Sequence, residues 1–280
     1  MPNCKYQIKS RIDNNLHISG NYYKLIFNAA RIARVAQPGQ FLMLRIPSVP
    51  GDYQPLLRRP FGIHSVSNHA RCGRVTILYE VVGAGTRLLS AKKRGEALDV
   101  LGPLGNGFDL SALSYRTLPI LVAGGRGVAP LFFLAQKIIN RSSRGGHLRP
   151  LVLIGAKTKK EILCKKEFAS SGLDVKISSD DGSAGFKGRV TDLLRRLLLK
   201  GLLENKRTNR QIIYACGPRP MLKELISIVQ KYGLAAQVSL DEYMACGLGV
   251  CLGCAVHARD GQKLVCKDGP VFDAAAIHLE

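Results

Sequence analysis

Residues 118–139 read LPILVAGGRGVAPLFFLAQKII. A mostly apolar run at 118–123 meets Gly124, Gly125 and Gly127, and a second apolar run follows from Val128 to about Asn140. Arg126, Lys137 and the central glycines interrupt the ~20 apolar residues that a membrane-spanning helix needs. The pattern instead predicts a buried strand, a tight turn and a buried helix. A turn of this kind aims backbone amides and a helix N-terminus at a phosphate or pyrophosphate. Taken alone it is a weak signal, and it is not the G-x-G-x-x-G fingerprint.

The same alternation continues downstream. Strands at 151–155, 174–178 and 212–215 precede helices at 160–169, 190–203 and 220–232. Strand and helix alternate four times, which predicts a doubly wound parallel α/β sheet. Pro218 and Pro220 sit where the first turn of a helix tolerates proline. Cys216-Gly217-Pro218 closes the last parallel strand, at the carboxyl edge where ligands of open α/β sheets sit.

Upstream the pattern differs. Strands are expected at 6–12, 22–28, 41–46, 61–67, 74–82 and 97–101, with turns at Pro38-Gly39, Pro50-Gly51 and Gly102-Pro103 and one helix from Thr86 to about Lys93. Short strands at this spacing predict a small antiparallel β-barrel. The expected organisation is a barrel over 1–112, an α/β domain over 113–233 and a small cysteine-bearing domain over 234–280.

Composition is that of a globular chain, with 46% hydrophobic residues, 29 Gly and 13 Pro in 280 residues. The net charge is +21, which invites nucleic acid as a partner. Yet the basic residues are scattered, no helix carries a continuous basic stripe, and few aromatics interleave with them. No nucleic acid and no membrane partner is expected. The N-terminal MPNCKYQIKSRIDNN has no apolar core and no cleavage site, so a soluble, cytoplasmic protein is expected.

Four of the eight cysteines, Cys4, Cys72, Cys164 and Cys216, are dispersed; the others crowd near the C-terminus. Clustering of this kind points to metal ligation in a reducing compartment. Cys246, Cys251, Cys254 and Cys266 follow the C-x4-C-x2-C…C spacing of plant-type [2Fe–2S] sites. Gly247, Gly249 and Gly253 let the backbone approach a cluster closely. Zinc also takes four cysteines, but structural zinc sites usually pair short knuckles.

In the barrel, Arg58-Arg59-Pro60-Phe61-Gly62 and Gly83-Ala84-Gly85-Thr86 stand out. A guanidinium beside a Pro-fixed turn can hold a phosphate, and a Gly-Thr helix start can bind another. An exposed basic turn and an ordinary helix cap explain each equally well.

Taken in order, these motifs resemble the ferredoxin–NADP reductase superfamily. Leu240-Asp-Glu-Tyr-Met-Ala-Cys-Gly-Leu-Gly-Val-Cys-Leu-Gly-Cys-Ala255, with Cys266-Lys-Asp-Gly-Pro-Val-Phe272 and Asp180-Asp-Gly-Ser-Ala-Gly-Phe-Lys-Gly188, is similar to the electron-transfer subunits of dihydroorotate dehydrogenase B, the PyrK type. The likeness covers nearly the whole chain. It implies FAD lined by Arg59, Pro60, Phe61, Gly62, Leu78, Tyr79, Glu80, Gly85 and Thr86. It implies NAD(H) at Gly124, Gly125, Gly127, Cys216, Gly217 and Pro218, with Cys216 nearest the nicotinamide, and a cluster on the four tail cysteines. The family usually has Ser at Gly62 and an apolar residue at Arg126.

The implied function is electron transfer between NAD and an FMN-containing dihydroorotate dehydrogenase catalytic subunit in pyrimidine biosynthesis, in a heterotetramer of two of each. No residue of this chain is named as a general acid or base. Two alternatives are a reductase-like subunit of a bifurcating transhydrogenase or sulfhydrogenase, and a non-catalytic zinc- or nucleic-acid-binding protein.

Overall fold

The computed structural model describes residues 5–46, 54–69, 72–142, 148–201 and 210–279. Cys4, the turn expected at Pro50-Gly51 and the end of the helix expected over 190–203 lie outside them. The chain forms two compact units: residues 1–107, 242–256 and 263–270 make one, and 108–241, 257–262 and 271–280 the other.

The first unit is built on β1 (Tyr6–Ser19), β2 (Tyr22–Asn28), α1 (Ala30–Val35), β3 (Phe41–Arg45), β4 (Arg59–His69), β5 (Cys72–Glu80), α2 (Ala84–Ala91) and β6 (Ala97–Leu104). The strands close into an antiparallel barrel in the order β1-β2-β5-β4-β3-β6, as the upstream pattern predicts. Closure leaves no sheet edge unpaired. Leu25, Phe27, Leu42, Leu44, Ile63, Val75, Ile77 and Val100 fill the core.

Helix α1 was not expected. It is six residues long and no side chain caps its N-terminus. Its support is tertiary: Ile32 and Ala33 are buried, and a Cβ on Gly73 would lie 2.5 Å from the Ala30 Cα. The missing side chain in β5 is what lets the helix lie directly on the strand.

The second unit contains β7 (Thr117–Gly124), α3 (Val128–Ser142), β8 (Leu151–Ala156), α4 (Lys165–Ser170), β9 (Asp174–Ser179), β10 (Phe186–Lys187), α5 (Val190–Leu199), β11 (Arg210–Cys216), α6 (Arg219–Lys231) and β12 (Ala235–Ser239). A short hairpin of β13 (Ala255–Ala258) and β14 (Gly261–Leu264) follows, then β15 (Val271–Asp273). The sheet order is β10-β9-β8-β7-β11-β12-β15. All pairings are parallel except β12 with β15. The strands called from the sequence are all present, flanked by helices as expected.

Two details differ from the sequence pattern. The sheet gains β12 and β15 from the C-terminal region. The helix expected over 160–169 is a 3-10 turn, Lys159–Glu161, and then α4, broken where Cys164 adopts a left-handed φ of 57°. The break lets both Leu163 and Phe168 reach the interior.

Candidate functional site

The cysteine segment belongs to the barrel unit and is moored to it at two places. A Cβ on Gly247, whose φ is +70°, would lie 2.6 Å from the Met43 Cγ on β3. Asn106, just past β6, donates its side-chain amide to the carbonyls of Lys267 and Asp268 at 3.1 and 3.0 Å, and its backbone N–H to the Gly269 carbonyl at 2.6 Å. The loop carrying three cysteines and the turn carrying the fourth are thereby held against one scaffold.

The four sulfurs act on one another: Cys251 bears on Cys246, and Cys254 and Cys246 bear on Cys266. Amide hydrogens surround them. Leu248 and Val250 donate to the Cys246 Sγ at 3.3 and 3.4 Å, Gly249 to the Cys266 Sγ at 3.1 Å, and Cys266 to the Cys254 Sγ at 3.4 Å. Cys254 and Cys266 are buried, Cys246 is half-buried and Cys251 is exposed.

This environment splits the thiols. Burial pushes Cys246 up, but the amides of Leu248, Cys251 and Val250 outweigh it and bring it down to about 6. Cys266 is pushed up to about 12 by burial and by the adjacent Cys254. A cation bound between them would favour the thiolate of Cys266 against that burial and crowding. Four cysteines on one scaffold with backbone amides donating to their sulfurs fit a binuclear iron–sulfur centre, which takes four thiolates.

On the barrel, β4 brings Arg59, Pro60, Phe61 and Gly62 opposite β3, in register with Leu44, Met43, Leu42 and Phe41. Leu78, Tyr79 and Glu80 end β5, and α2 opens with Gly85 and Thr86. The structure gathers these positions. Phe61 meets the Tyr79 ring edge-on at 5.9 Å. A Cβ on Gly85 would lie 3.0 Å from the Arg59 Nε, so the absent side chain admits the guanidinium to the start of α2. The Thr86 hydroxyl accepts the N–H groups of Val82 and Gly83 at 2.9 and 3.1 Å and donates to the Gly83 carbonyl at 3.1 Å. It closes its own turn.

In the α/β unit the two glycine turns lie face to face, because β7 and β11 are neighbours with Ala123 opposite Cys216. A Cβ on Gly124 would lie 2.6 Å from the Met221 Sδ, and one on Gly217 would lie 2.4 Å from the Met221 Cε and 3.1 Å from the Gly124 nitrogen. Pro218 caps α6. Gly125, with φ +51°, faces open space.

Cys216 is buried and its thiol is pushed up to about 12, by burial first and then by the negative charge of Asp241; Ser239 and Arg126 pull the other way. Arg126 and Asp241 form an ion pair at 3.3 Å. Sequence reasoning assigned no role to Ser239 or Asp241. Recognising β12 would have placed both at the same edge as Cys216.

The family described as the iron–sulfur cluster binding domain of dihydroorotate dehydrogenase B matches residues 241–278. The oxidoreductase NAD-binding domain matches residues 121–226. The electron transfer subunit of dihydroorotate dehydrogenase B (NAD(+)) from Desulforamulus reducens is 39% identical over 267 residues, covering 94% of this chain and 95% of that protein. The protein of the same name from Caldanaerobacter subterraneus subsp. tengcongensis is 35% identical over 277 residues, covering 98% and 99%.

Among solved structures, the NADH-dependent reduced ferredoxin–NADP oxidoreductase aligns with a TM-score of 0.79 at 28% identity, covering 96% of this chain and 90% of that one. The cytochrome b5 reductase domain of Ulva prolifera nitrate reductase aligns at 0.61 and 18% identity, covering 82% and 94%, a likeness of fold alone. With a third or more of its residues shared along nearly its whole length, this chain belongs to the family of electron transfer subunits of NAD(+)-linked dihydroorotate dehydrogenase B.

Proposed function

We propose that this chain carries electrons between NAD and an FMN-containing dihydroorotate dehydrogenase catalytic subunit, in a cytoplasmic heterotetramer of two of each. The observation that carries the reading is the gathering of four cysteines on the barrel unit with backbone amides donating to their sulfurs, in a chain whose relatives bear that subunit's name. The barrel over 1–112 would take FAD, the α/β domain over 113–233 NAD(H), and the tail over 234–280 the [2Fe–2S] cluster.

Bound to these residues, the flavin would exchange an electron pair with nicotinamide as hydride and single electrons with the cluster. The protein's part is position and electrostatics. Arg59 offers its guanidinium to the flavin phosphates at the start of α2, where Gly85 makes room for it. Phe61, Gly62 and the ends of β4 and β5, including Leu78, Tyr79 and Glu80, border the ring. Thr86 acts through the turn it closes, presenting the amides of the first turn of α2 to phosphate. Gly124, Gly125 and Gly127 let the dinucleotide approach the backbone, while Cys216, Gly217 and Pro218 border the nicotinamide end. Cys246, Cys251, Cys254 and Cys266 hold the irons, and in pyrimidine synthesis the net flow runs from dihydroorotate towards NAD.

A subunit of a bifurcating transhydrogenase is the nearest rival, since a structural neighbour at 28% identity is an NADH-dependent reduced ferredoxin–NADP oxidoreductase of flavin-based electron bifurcation. Identity of 35–39% to dihydroorotate dehydrogenase B subunits favours the first reading. The test is visible absorption and low-temperature EPR of the anaerobically purified chain before and after NADH. Flavin bands and the sulfur-to-iron shoulder should bleach together while a rhombic [2Fe–2S] signal grows in. A colourless protein carrying zinc after reconstitution would overturn the assignment.

A further inference from the structure

One ion pair at the carboxyl edge of the α/β sheet has little structural duty. The Arg126 Nη2 lies 3.3 Å from the Asp241 Oδ2, and the two side chains are 45% and 68% exposed. Pairs that exposed contribute little to stability. Their position is more telling. Arg126 stands in the middle of the turn between β7 and α3, and Asp241 stands two residues beyond β12. Strands β7, β11 and β12 are neighbours in that order, with β8 and β9 on the other side of β7. The chain thus reverses its direction of strand addition between β7 and β11, and open α/β sheets bind ligands at such a switch point.

Three further observations place the pair at that point. Both charges act on the Cys216 thiol at the end of β11, Asp241 raising it and Arg126 lowering it. Gly127 is packed against the Cys216 backbone, which fixes the turn, and the position of a Cβ on Gly125 has nothing within 4 Å. The guanidinium is therefore carried on a turn packed against β11, and the Asp241 carboxylate engages it at 3.3 Å, near the long end of hydrogen-bonding distance.

We propose that Arg126 takes the pyrophosphate of the nicotinamide dinucleotide, and that Asp241 is the partner it leaves when the dinucleotide binds. The inference rests on the NAD-binding reading of this unit and adds a specific residue and a competition to it. A guanidinium meets two phosphate oxygens at once through its fork, with stronger charge-assisted hydrogen bonds than a single contact gives. Asp241 opposes binding in two ways: its pair with Arg126 must break, and its charge repels the arriving pyrophosphate. Affinity of the free chain is lowered by the fraction of time the guanidinium is engaged.

The test is calorimetric titration of the full, cofactor-loaded chain with NAD+ and with ADP-ribose, which keeps the pyrophosphate and lacks the nicotinamide. Arg126→Leu should weaken both ligands by about tenfold, the loss of charged hydrogen bonds. Asp241→Asn should tighten both by about threefold, the scale of an exposed pair. The double variant should bind like Arg126→Leu, less any gain from relief of Asp241 repulsion. Arg126→Lys, which keeps the charge and loses the fork, should fall between.

Arg126→Leu binding both ligands as the unaltered chain does would overturn the proposal and leave the NAD reading intact. So would weakening for NAD+ without weakening for ADP-ribose, which would put Arg126 at the nicotinamide end. Weaker binding in Asp241→Asn would overturn the competition. Failure of the unaltered chain to bind either ligand would remove the NAD reading and the proposal with it.

Discussion

The backbone carbonyl of Cys216 occupies the place that a side chain on Gly127 would need: a Cβ there would lie 1.9 Å from that oxygen. No rotamer relieves such a clash, because both groups are main chain. Gly127→Ala must push the β7–α3 turn away from β11, an overpacking that costs about 1–3 kcal/mol or more. The expected outcome is a thermal midpoint several degrees lower, with NAD+ affinity falling at the same time. An alanine variant with unchanged midpoint and affinity would show that the two turns need not touch.

The cysteines make a sharper prediction, because their surroundings differ. Cys266→Ser alters a buried sulfur that receives the Gly249 N–H at 3.1 Å, and should abolish the visible sulfur-to-iron absorption. Cys251 is exposed. Cys251→Ser should allow partial assembly of an oxygen-ligated, more labile centre, seen as a shifted spectrum and faster loss of iron to a chelator. Cys164→Ser, in the α/β unit, should leave the spectrum unchanged. Equal iron content in all three variants would remove the cysteine assignment.

Much of this was legible in the sequence for physical reasons. The β7–α3 turn announced itself because an apolar run of strand length met glycines and then an apolar run of helix length. The cysteine spacing was legible because ligands to one centre must come from a short, glycine-rich loop. What stayed hidden depends on partners distant in sequence. Helix α1 exists because Gly73 lets it lie on β5. Strand β15 exists because its three residues find β12. The break at Cys164 follows from burying Leu163 and Phe168 together. The Arg126–Asp241 pair joins residues 115 apart in the chain, and no local pattern marks it.

Acid should weaken the α/β unit through Glu224. Burial pushes this carboxyl up, but the Thr191 hydroxyl and the Arg195 guanidinium, both at 2.9 Å, and the charge of Arg189 hold it below its ordinary value of 4.5. A carboxyl lowered in the folded state adds stability above its unfolded value. That contribution is lost as pH falls through the lower folded value. The urea midpoint should be flat from pH 7 to about 5 and drop below 4.5, the ordinary value for this group. Glu224→Gln should cost about 1 kcal/mol at pH 7, the low end for a charged hydrogen bond because the pair is partly exposed, and should shrink the acid drop. An acid limb equally steep in the variant would assign the drop to other carboxyls.

The last prediction concerns Asn15, a residue with no motif around it. From β1 its side-chain amide donates to the carbonyls of Leu89 and Lys92, at 2.8 and 3.0 Å, at the C-terminal end of α2. Its oxygen accepts the Tyr79 hydroxyl at 3.0 Å. One side chain therefore ties the helix that opens with Gly85 and Thr86 to a buried tyrosine beside Phe61. Asn15→Leu leaves that hydroxyl without its acceptor and the helix carbonyls without their donor. The cost should be about 2–3 kcal/mol for the orphaned buried groups. Because α2 carries the proposed phosphate-binding turn, flavin should also dissociate faster, measured as recovery of free-flavin fluorescence. Tyr79→Phe removes only the hydroxyl's hydrogen bond and should cost about 1 kcal/mol, with flavin retained longer than in Asn15→Leu. If Asn15→Leu lowers the thermal midpoint but leaves flavin release unchanged, Asn15 supports the barrel alone and α2 does not govern the flavin's hold.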